Sequence, residues 1–167
     1  MDILLRTWFF VLGTIIGSFL NVVIYRLHTG KSLNGRSHCL SCGTKLSWYE
    51  LIPVFSYLVQ RGACRTCHAR ITPRYLVVEL LTGVLFLLAA ETFLSDPVLL
   101  FLNLGIASLL VVILFYDLRH TIIPDELVLY LLAFALAYSL WNPLTQTIAL
   151  PAGGILLSIV LGGILPA

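Results

Sequence analysis

Four cysteines, arranged as two CxxC pairs, are the residues whose spacing most clearly predicts chemistry in this chain. The pairs are Cys39 with Cys42 and Cys64 with Cys67, and 21 residues separate them. Each pair can present two thiolates from one tight turn, and four thiolates complete the tetrahedral ligand set of a structural zinc site. Because four ligands leave no open position for a substrate, the spacing predicts a structural Zn²⁺ rather than a catalytic one.

Two disulfides, or a redox-active pair, are the alternatives to zinc at these cysteines. The surrounding segment is basic and is expected to be cytoplasmic, where disulfides do not persist, so zinc is the favoured interpretation. His38 and His68 flank the cysteines and could also bind a metal, but four cysteines already fill a tetrahedral site.

The second candidate for chemistry is the stretch at positions 116–127, YDLRHTIIPDEL, which is almost the only polar interruption in the last hundred residues. Ionisable groups beside a membrane span usually carry function or mark an interface with water. Asp117 can act there as a general acid or base. The alternative is an ordinary polar turn between two membrane helices.

Aspartic hydrolysis needs two carboxylates that share a proton. The candidate partners of Asp117 are Asp125, Glu79 and Glu50. Pro124 disfavours a continuous helix between Asp117 and Asp125. We therefore expect Asp125 to be a first-turn acid that suits the dipole of the next helix. Glu79 is expected to face the same cavity as Asp117, or to bond Arg74, Tyr75 or the basic loop.

The elements that must position these groups are membrane helices. Hydrophobic residues make up 59% of the chain and charged residues 11%, against about 25% charged in a soluble domain. The composition predicts an all-α integral membrane protein with about five transmembrane helices, surrounded by lipid and without a nucleic-acid partner. Since about 20 apolar residues cross a bilayer, the predicted helices cover residues 4–25, 74–94, 98–116, 123–141 and 148–165.

The first of these helices carries small and polar residues on one face. Gly13 and Gly17 are spaced as GxxxG, which suits close helix packing but is also common in membrane helices without any such role. Ser18 and Asn21 lie on or near that face, and Asn21 is expected to bond a neighbouring helix or the loop.

Three parts are expected along the chain: residues 1–25 as the first transmembrane helix, 26–73 as a cysteine-containing zinc-binding loop, and 74–167 as helices two to five. Eight of the ten Lys and Arg residues lie from Arg26 to Arg74. Because basic residues concentrate on the cytoplasmic side, the loop is predicted to be cytoplasmic and the N-terminus outside. The loop follows the first predicted span and Asp117 follows the third. Because the two spans between them cross the membrane in opposite directions, Asp117 is predicted to lie on the same side as the loop.

Taken together, these motifs resemble those of the type IV prepilin peptidases, the membrane aspartic enzymes of type IV pilus and type II secretion systems. The resemblance covers nearly all of residues 13–130, in order and with compatible gaps. Its motifs are Gly17-Ser-Phe-Leu-Asn-Val-Val-Ile-Tyr-Arg26, Ser37-x-Cys39-x-x-Cys42, Leu46-Ser-Trp48-Tyr49-Glu50-Leu-Ile52-Pro53, Arg61-Gly62-x-Cys64-x-x-Cys67, Glu79, and Asp117-Leu-Arg119-x-x-x-Ile123-Pro124-Asp125.

The resemblance implies a multi-pass hydrolase of the bacterial inner membrane that cuts the leader from prepilins and pseudopilins on the cytoplasmic side. Asp117 matches the first catalytic aspartate of the family. Many members also methylate the new amino terminus with S-adenosylmethionine, although Ala63 stands where many relatives carry a basic residue. No residues of a methyltransferase cofactor site are identified from the motifs.

The family's second catalytic aspartate lies in a GxGD motif, and this sequence has none: Gly162-Gly163 is followed by Ile164-Leu165. The expectation is therefore an inactive fragment, truncated before GxGD, with the C-terminal part of the peptidase domain missing. The alternative function is a non-catalytic zinc-stapled membrane docking module. A transporter with Asp117 as an ion site is disfavoured by the lack of an internal repeat of helices.

Overall fold

The computed structural model describes residues 1–29, 35–121 and 124–141. Four long helices carry the architecture: α1 (Ile3–Thr29), α3 (Arg74–Phe93), α4 (Pro97–His120) and α5 (Asp125–Trp141). Between α1 and α3 lies the cysteine loop, which contains a 3₁₀ helix (Trp48–Leu51) and the short helix α2 (Phe55–Val59). Within these described ranges there is no strand, only two isolated β-bridges. The all-α fold is confirmed.

Three of the helices are long and apolar enough to cross a membrane, namely α1, α3 and α4. Helix α5 is also apolar and has 17 residues within the described part of the chain, against about 20 in a typical span. The helix expected at 148–165 lies outside the described residues. The fold is therefore that of an integral membrane protein with a four-cysteine cluster after its first helix.

Two helices are longer than the sequence predicts. Helix α1 continues past residue 25 to Thr29, whose hydroxyl donates to the Tyr25 carbonyl at 3.2 Å. Helix α4 continues past residue 116 to His120, so Asp117 lies in its last turn rather than after it. In both places charged residues follow the apolar run, and charge by itself does not end a helix. Helix α4 ends instead at Thr121, which adopts a left-handed conformation with φ 52°.

A close contact between helices α1 and α3 runs through small residues. A Cβ added at Gly13 would lie 2.7 Å from the Gly83 Cα, and one at Gly17 would lie 2.8 Å from the Glu79 Cα. Such distances leave no room for a side chain, so the two backbones touch. The GxxxG spacing on α1 is therefore a packing surface.

Two clusters of buried side chains show how the helices align. One contains Ile24 of α1, Val78 of α3, Phe115 of α4 and Leu127 of α5. The other joins the opposite ends of α1, α3 and α4 through Phe9, Ala90 and Leu100. Successive long helices are therefore antiparallel. The C-terminus of α4, which carries Asp117, lies at the same end of the bundle as the cysteine loop.

Candidate metal centre and adjoining polar cavity

The four cysteines that the sequence singles out converge on one point. Their Sγ atoms all lie within 4.8 Å of one another, and those of Cys39 and Cys67 are 3.8 Å apart. That distance matches the edge of a tetrahedron with metal–sulfur bonds of about 2.3 Å. It is far beyond the roughly 2.05 Å of a disulfide, and all four thiols are free. The arrangement could hold a metal ion.

Each cysteine pair sits in a small hairpin, and the two hairpins use the same hydrogen bonds. The Cys39 N–H donates to the Thr44 carbonyl, and the Cys64 N–H donates to the Ala69 carbonyl, both at 2.9 Å. The N–H of the residue after each second cysteine, Gly43 or His68, donates to the carbonyl of the first cysteine, also at 2.9 Å. We refer to these hairpins as knuckle 1 (residues 37–46) and knuckle 2 (residues 62–71).

The residue that follows the second cysteine has a positive φ in both knuckles. It is Gly43 in knuckle 1, with φ 73°, and His68 in knuckle 2, with φ 55°. Only glycine adopts this conformation without steric cost. The backbone is therefore forced into the same turn on both sides of the cluster, although one side carries a residue that does not favour it.

The environments of the thiols differ. The Thr44 hydroxyl, 3.3 Å from the Cys42 Sγ, and the Thr44 N–H together lower the pKa of Cys42 to about 6. The N–H groups of Cys67 and Thr66 lower the pKa of Cys64. At Cys67, the Ala69 N–H lowers the pKa, but burial and the other three sulfurs outweigh it and raise that pKa to about 11. Four thiols packed together thus resist carrying four negative charges at once.

Neither flanking histidine belongs to the cluster among the described residues. His38 lies in the β-bridge with Lys45, and its Nδ1 is 3.4 Å from the Arg36 carbonyl. The backbone of His68, with its positive φ, forms the turn of knuckle 2. The cysteines are therefore the whole ligand set that this part of the chain offers.

A cavity of about 510 Å³ lies between the cysteine loop and the ends of α1 and α3. The polar residues that line it from the helices include Ser18, Asn21 and Arg26 of α1 and Glu79 of α3. Asn21 and Glu79 are only 4% and 8% exposed. The Asn21 Nδ2 donates to the Tyr75 carbonyl at 3.0 Å, while its Oδ1 has no hydrogen-bond partner. This end of the cavity therefore offers hydrogen-bond acceptors in an apolar setting.

Glu79 ties the membrane helix to the loop. Its carboxylate accepts the backbone N–H of Val54 at 2.7 Å and also bonds the Ser18 side chain. Val54 has φ 61° and ψ −53°, and the Phe55 N–H donates across it to the Pro53 carbonyl at 2.5 Å. This is a γ-turn with positive φ, a rare and strained conformation, above all for a β-branched residue. The buried carboxylate holds that turn in place.

Glu50 has a local structural role. Its carboxylate accepts the Ser47 N–H at 2.8 Å, and the Glu50 N–H donates to the Ser47 carbonyl at 3.0 Å, so Glu50 holds the first turn of the 3₁₀ helix. Next to it, the Tyr49 hydroxyl accepts from Arg65 Nη1 at 2.7 Å. These contacts join the 3₁₀ helix to knuckle 2.

Asp117 is exposed in the last turn of α4, two residues beyond the buried Phe115. Its carbonyl accepts the Thr121 N–H that ends the helix, and its carboxylate lines neither this cavity nor a second one beside knuckle 2. Asp125 lies in the first turn of α5 and is exposed as well. The structure thus brings Glu79 to the cysteine loop, while Asp117 lies at the same end of the bundle outside that cavity.

Val54 is a participant in this site that sequence reasoning missed. It contributes a backbone N–H, which any residue except proline carries, so no residue type marks it. The only signal is the preceding Ile52-Pro53, because the residue before a proline is extended and a turn commonly follows.

Comparison with known proteins places these features in a family. The sequence model of the bacterial peptidase A24 N-terminal domain matches residues 11–93. A prepilin leader peptidase/N-methyltransferase of Myxococcus xanthus is 44% identical over 140 residues, covering 82% of this chain and 42% of the relative. Proteins of the same description from Vibrio cholerae and Bacillus subtilis are 34% and 35% identical, covering 81% of this chain and 56% and 54% of the relatives.

The chain therefore spans about half the length of the curated relatives it matches. No solved structure matches it.

Proposed function

Because the chain belongs to the family of bacterial prepilin leader peptidase/N-methyltransferases, we propose that it forms part of an aspartic endopeptidase that removes the leader of type IV prepilins and pseudopilins. The observation that carries the proposal is the placement of Asp117. Its carboxylate stands where α4 meets water, at the same end of the bundle as the cysteine loop.

Asp117 supplies one carboxylate of the proposed reaction. In its ionised form it takes a proton from a water molecule, which then attacks the scissile carbonyl, while a second, protonated carboxyl group donates to the carbonyl oxygen. Asp125 is not assigned this second role, because it lies in the first turn of α5, where its negative charge interacts favourably with the helix dipole. The relatives' additional length is where we expect the partner carboxylate.

The cysteine cluster is proposed to hold a structural Zn²⁺. The four sulfurs fit the tetrahedral geometry and offer no open coordination site. Zinc would close the loop and thereby fix the position of the turn that Glu79 holds. A loop of this size has too little apolar core to fold without such a staple.

N-methylation of the new amino terminus is the second activity in the relatives' name, and S-adenosylmethionine is its expected methyl donor. The cavity of about 510 Å³ is within the usual size of small-molecule sites, about 300–1,000 Å³. Asn21 Oδ1 and the Glu79 carboxylate are acceptors that fit an amine, while Arg36 and Arg70 on the same lining fit a carboxylate. The bound cofactor would supply an electrophilic methyl group, and these residues would orient the groups beside it.

We place the cysteine loop and Asp117 on the cytoplasmic face of the bacterial inner membrane. The positive-inside rule supports this, since eight of ten basic residues lie from Arg26 to Arg74. A substrate could then keep its basic leader in the cytoplasm and its apolar segment in the bilayer. A reporter fused near residue 122 should report a cytoplasmic location.

The test is a prepilin-cleavage assay in membranes that contain this chain extended by the additional C-terminal length of a relative, or the Asp117→Asn or Asp125→Asn variant of that extended chain. Loss of cleavage in Asp117→Asn and retention in Asp125→Asn supports the proposal. Cleavage that survives Asp117→Asn removes the aspartic mechanism.

A non-catalytic docking module, whose loop is closed by the four-cysteine cluster, is the second candidate. It predicts no cleavage by any of the three chains but retained binding of the prepilin. Binding that disappears in a Cys39→Ser variant, with cleavage absent throughout, would favour the docking module.

A further inference from the structure

Residues 48–59, WYELIPVFSYLV, form a stretch of the cysteine loop with a single charged residue, Glu50. We refer to it as the apolar segment. Although it belongs to an otherwise polar loop, its large side chains point outward: Trp48 is 78% exposed, Phe55 60%, Leu58 61% and Val59 64%. Contiguous exposed apolar residues of this kind mark an interaction surface.

The exposed residues of α2 share one face of that helix. Phe55, Leu58 and Val59 are three and four positions apart, so they project within an arc of about 100°. Tyr57 points the other way, where its hydroxyl meets the Ile71 carbonyl at 3.5 Å and the backbone of Gly62. The helix is therefore fixed to knuckle 2 through Tyr57 and carries an apolar ridge on its exposed face. Phe55 and Val59 of this ridge also border the cavity beside knuckle 2.

The depth of the apolar segment relative to the membrane helices follows from the Val54–Glu79 hydrogen bond. Glu79 is five residues into α3, or about 7.5 Å along the helix axis from Arg74. Because the Val54 nitrogen lies 2.7 Å from Glu79 Oε2, the Pro53–Phe55 turn lies within one side-chain length of the second turn of the membrane span. On α3 itself, Val77 and Leu80 flank Glu79 and are 49% and 37% exposed. The apolar segment thus lies at the level where the lipid-facing surface of α3 begins.

The apolar segment contains no Lys or Arg, whereas the parts of the loop on either side of it are basic. The basic residues of the described loop lie before or after the segment, in or beside the two knuckles: Arg36, Lys45, Arg61, Arg65 and Arg70. Basic residues next to a bilayer attract anionic headgroups, while Trp, Tyr and Phe favour the boundary between headgroups and acyl chains.

We propose that the apolar segment is an interfacial membrane anchor that inserts Trp48 and the Phe55–Leu58–Val59 ridge into the headgroup–acyl boundary of an anionic bilayer. The cysteine loop is then held against the membrane surface at two places, by its helical ends and by this segment. Its partner is lipid rather than protein, because the surface continues that of the membrane helix α3 at the same depth. The proposal does not depend on peptidase activity.

The test uses Trp48 as a fluorescent reporter in the 167-residue chain, with Trp8→Phe and Trp141→Phe to remove the other two tryptophans. The zinc-loaded protein is reconstituted in phosphatidylethanolamine–phosphatidylglycerol vesicles that carry lipids brominated near the headgroup or at the middle of the acyl chain. We expect stronger quenching by the bromine near the headgroup, and weak quenching by aqueous iodide. Full iodide quenching without bromolipid quenching would overturn the proposal.

Two matched variants separate the anchor from general apolar exposure. Leu58→Ser removes a ridge residue, and Leu40→Ser removes a leucine of nearly equal exposure, 60%, in knuckle 1. Leu58→Ser should lower bromolipid quenching of Trp48 about twofold or more, since losing one buried apolar side chain weakens partitioning by up to about tenfold. Leu40→Ser should leave it unchanged. Bound zinc, measured in each preparation, establishes that the loop is folded.

The alternative occupant is the apolar segment of a prepilin, and the same assay distinguishes it. If bromolipids fail to quench Trp48 in vesicles without substrate, and added prepilin alone protects Trp48 from iodide, the surface is a protein-binding one and the lipid assignment is wrong. Equal loss of quenching in Leu58→Ser and Leu40→Ser would also contradict it.

Discussion

The Glu79 carboxylate, inside a membrane helix, accepts the backbone N–H of Val54, in the cysteine loop, at 2.7 Å. This bond joins the apolar helix α3 to the more polar and basic cysteine loop. It also places a strained turn beside the polar cavity, because Val54 keeps its positive φ only while the carboxylate and the neighbouring proline hold it.

Replacing Glu79 by alanine should free this turn. The Val54 N–H would lose its acceptor at a cost of about 1 kcal/mol, the low end for an unsatisfied buried donor because Val54 is only half-buried. We expect faster amide hydrogen exchange in a peptide that covers residues 52–58, with bound zinc unchanged. Glu79→Gln, which retains an acceptor oxygen, should show a smaller increase. Equal exchange in all three proteins would mean that the bond does not hold the turn.

Removing one ligand should abolish the metal site of the loop. With Co²⁺ in place of Zn²⁺, the intact chain should show the strong sulfur-to-cobalt absorption and the visible bands of tetrahedral thiolate coordination. Cys39→Ser should lose these bands and become sensitive to proteolysis in the loop, because metal binding and folding are coupled. His38→Ala is the control and should retain both properties. A loop that resists proteolysis after complete metal removal would contradict the structural role.

The equivalent turn positions of the two knuckles should respond oppositely to substitution. Gly43→Ala places a Cβ at φ 73° with nothing within 4 Å, so any loss comes from backbone strain alone, about 1 kcal/mol. His68→Gly relieves the same strain at φ 55°. Metal release to a competing chelator should therefore be faster in Gly43→Ala than in the parent. In His68→Gly it should be no faster, and faster release there would assign the His68 ring a role at the metal.

Much of this fold could be predicted from local pattern. The apolar runs identify the membrane helices, and the CxxC spacing identifies the four sulfurs that meet, because both signals are short-range. Helix ends were less predictable: α1 and α4 both extend into charged residues, since hydropathy locates the span but not the last hydrogen bond.

Partners between distant segments could not be predicted. The GxxxG spacing marks one packing surface on α1, but nothing in Thr82-Gly83 identifies the surface on α3 that receives it. Likewise, Glu79 is visible as a charge in an apolar helix, yet its partner is a main-chain N–H with no sequence signature. Tertiary contact, not local preference, determines both pairings.

Two glycines allow the helix contacts to be compared. At Gly17 an added Cβ meets backbone, the Glu79 Cα at 2.8 Å, whereas at Gly105 it meets the outer ring atoms of Phe134. A ring can turn away, but two helix backbones must separate. Gly17→Ala should therefore destabilise the detergent-solubilised protein by about 1–3 kcal/mol, and Gly105→Ala by less. Thermal denaturation of both variants checks this ranking, and the reverse order would show that α4 and α5 are the more rigid pair.

The hydrogen bond between Asp96 and Trp141 should make the contact of the α5 end with the start of α4 dependent on pH. Its Oδ1 accepts the N–H groups of Val98 and Leu99 at 3.0 and 3.1 Å, and its Oδ2 accepts Trp141 Nε1 at 3.2 Å. The Leu99 N–H is the largest cause of a pKa below the ordinary 3.8, with Trp141 and Val98 adding to it. Because the folded pKa is the lower one, the stabilisation is present above the ordinary pKa and is lost as pH falls through the folded value.

Trp141 emission, with Trp8 and Trp48 replaced by Phe, should therefore change as the pH is lowered below about 4. Asp96→Asn keeps a helix-capping oxygen but cannot titrate, so the acid transition should disappear while the emission at neutral pH changes little. If Asp96→Asn showed the same transition, another acid would be responsible, and the Asp96–Trp141 bond would not control this contact.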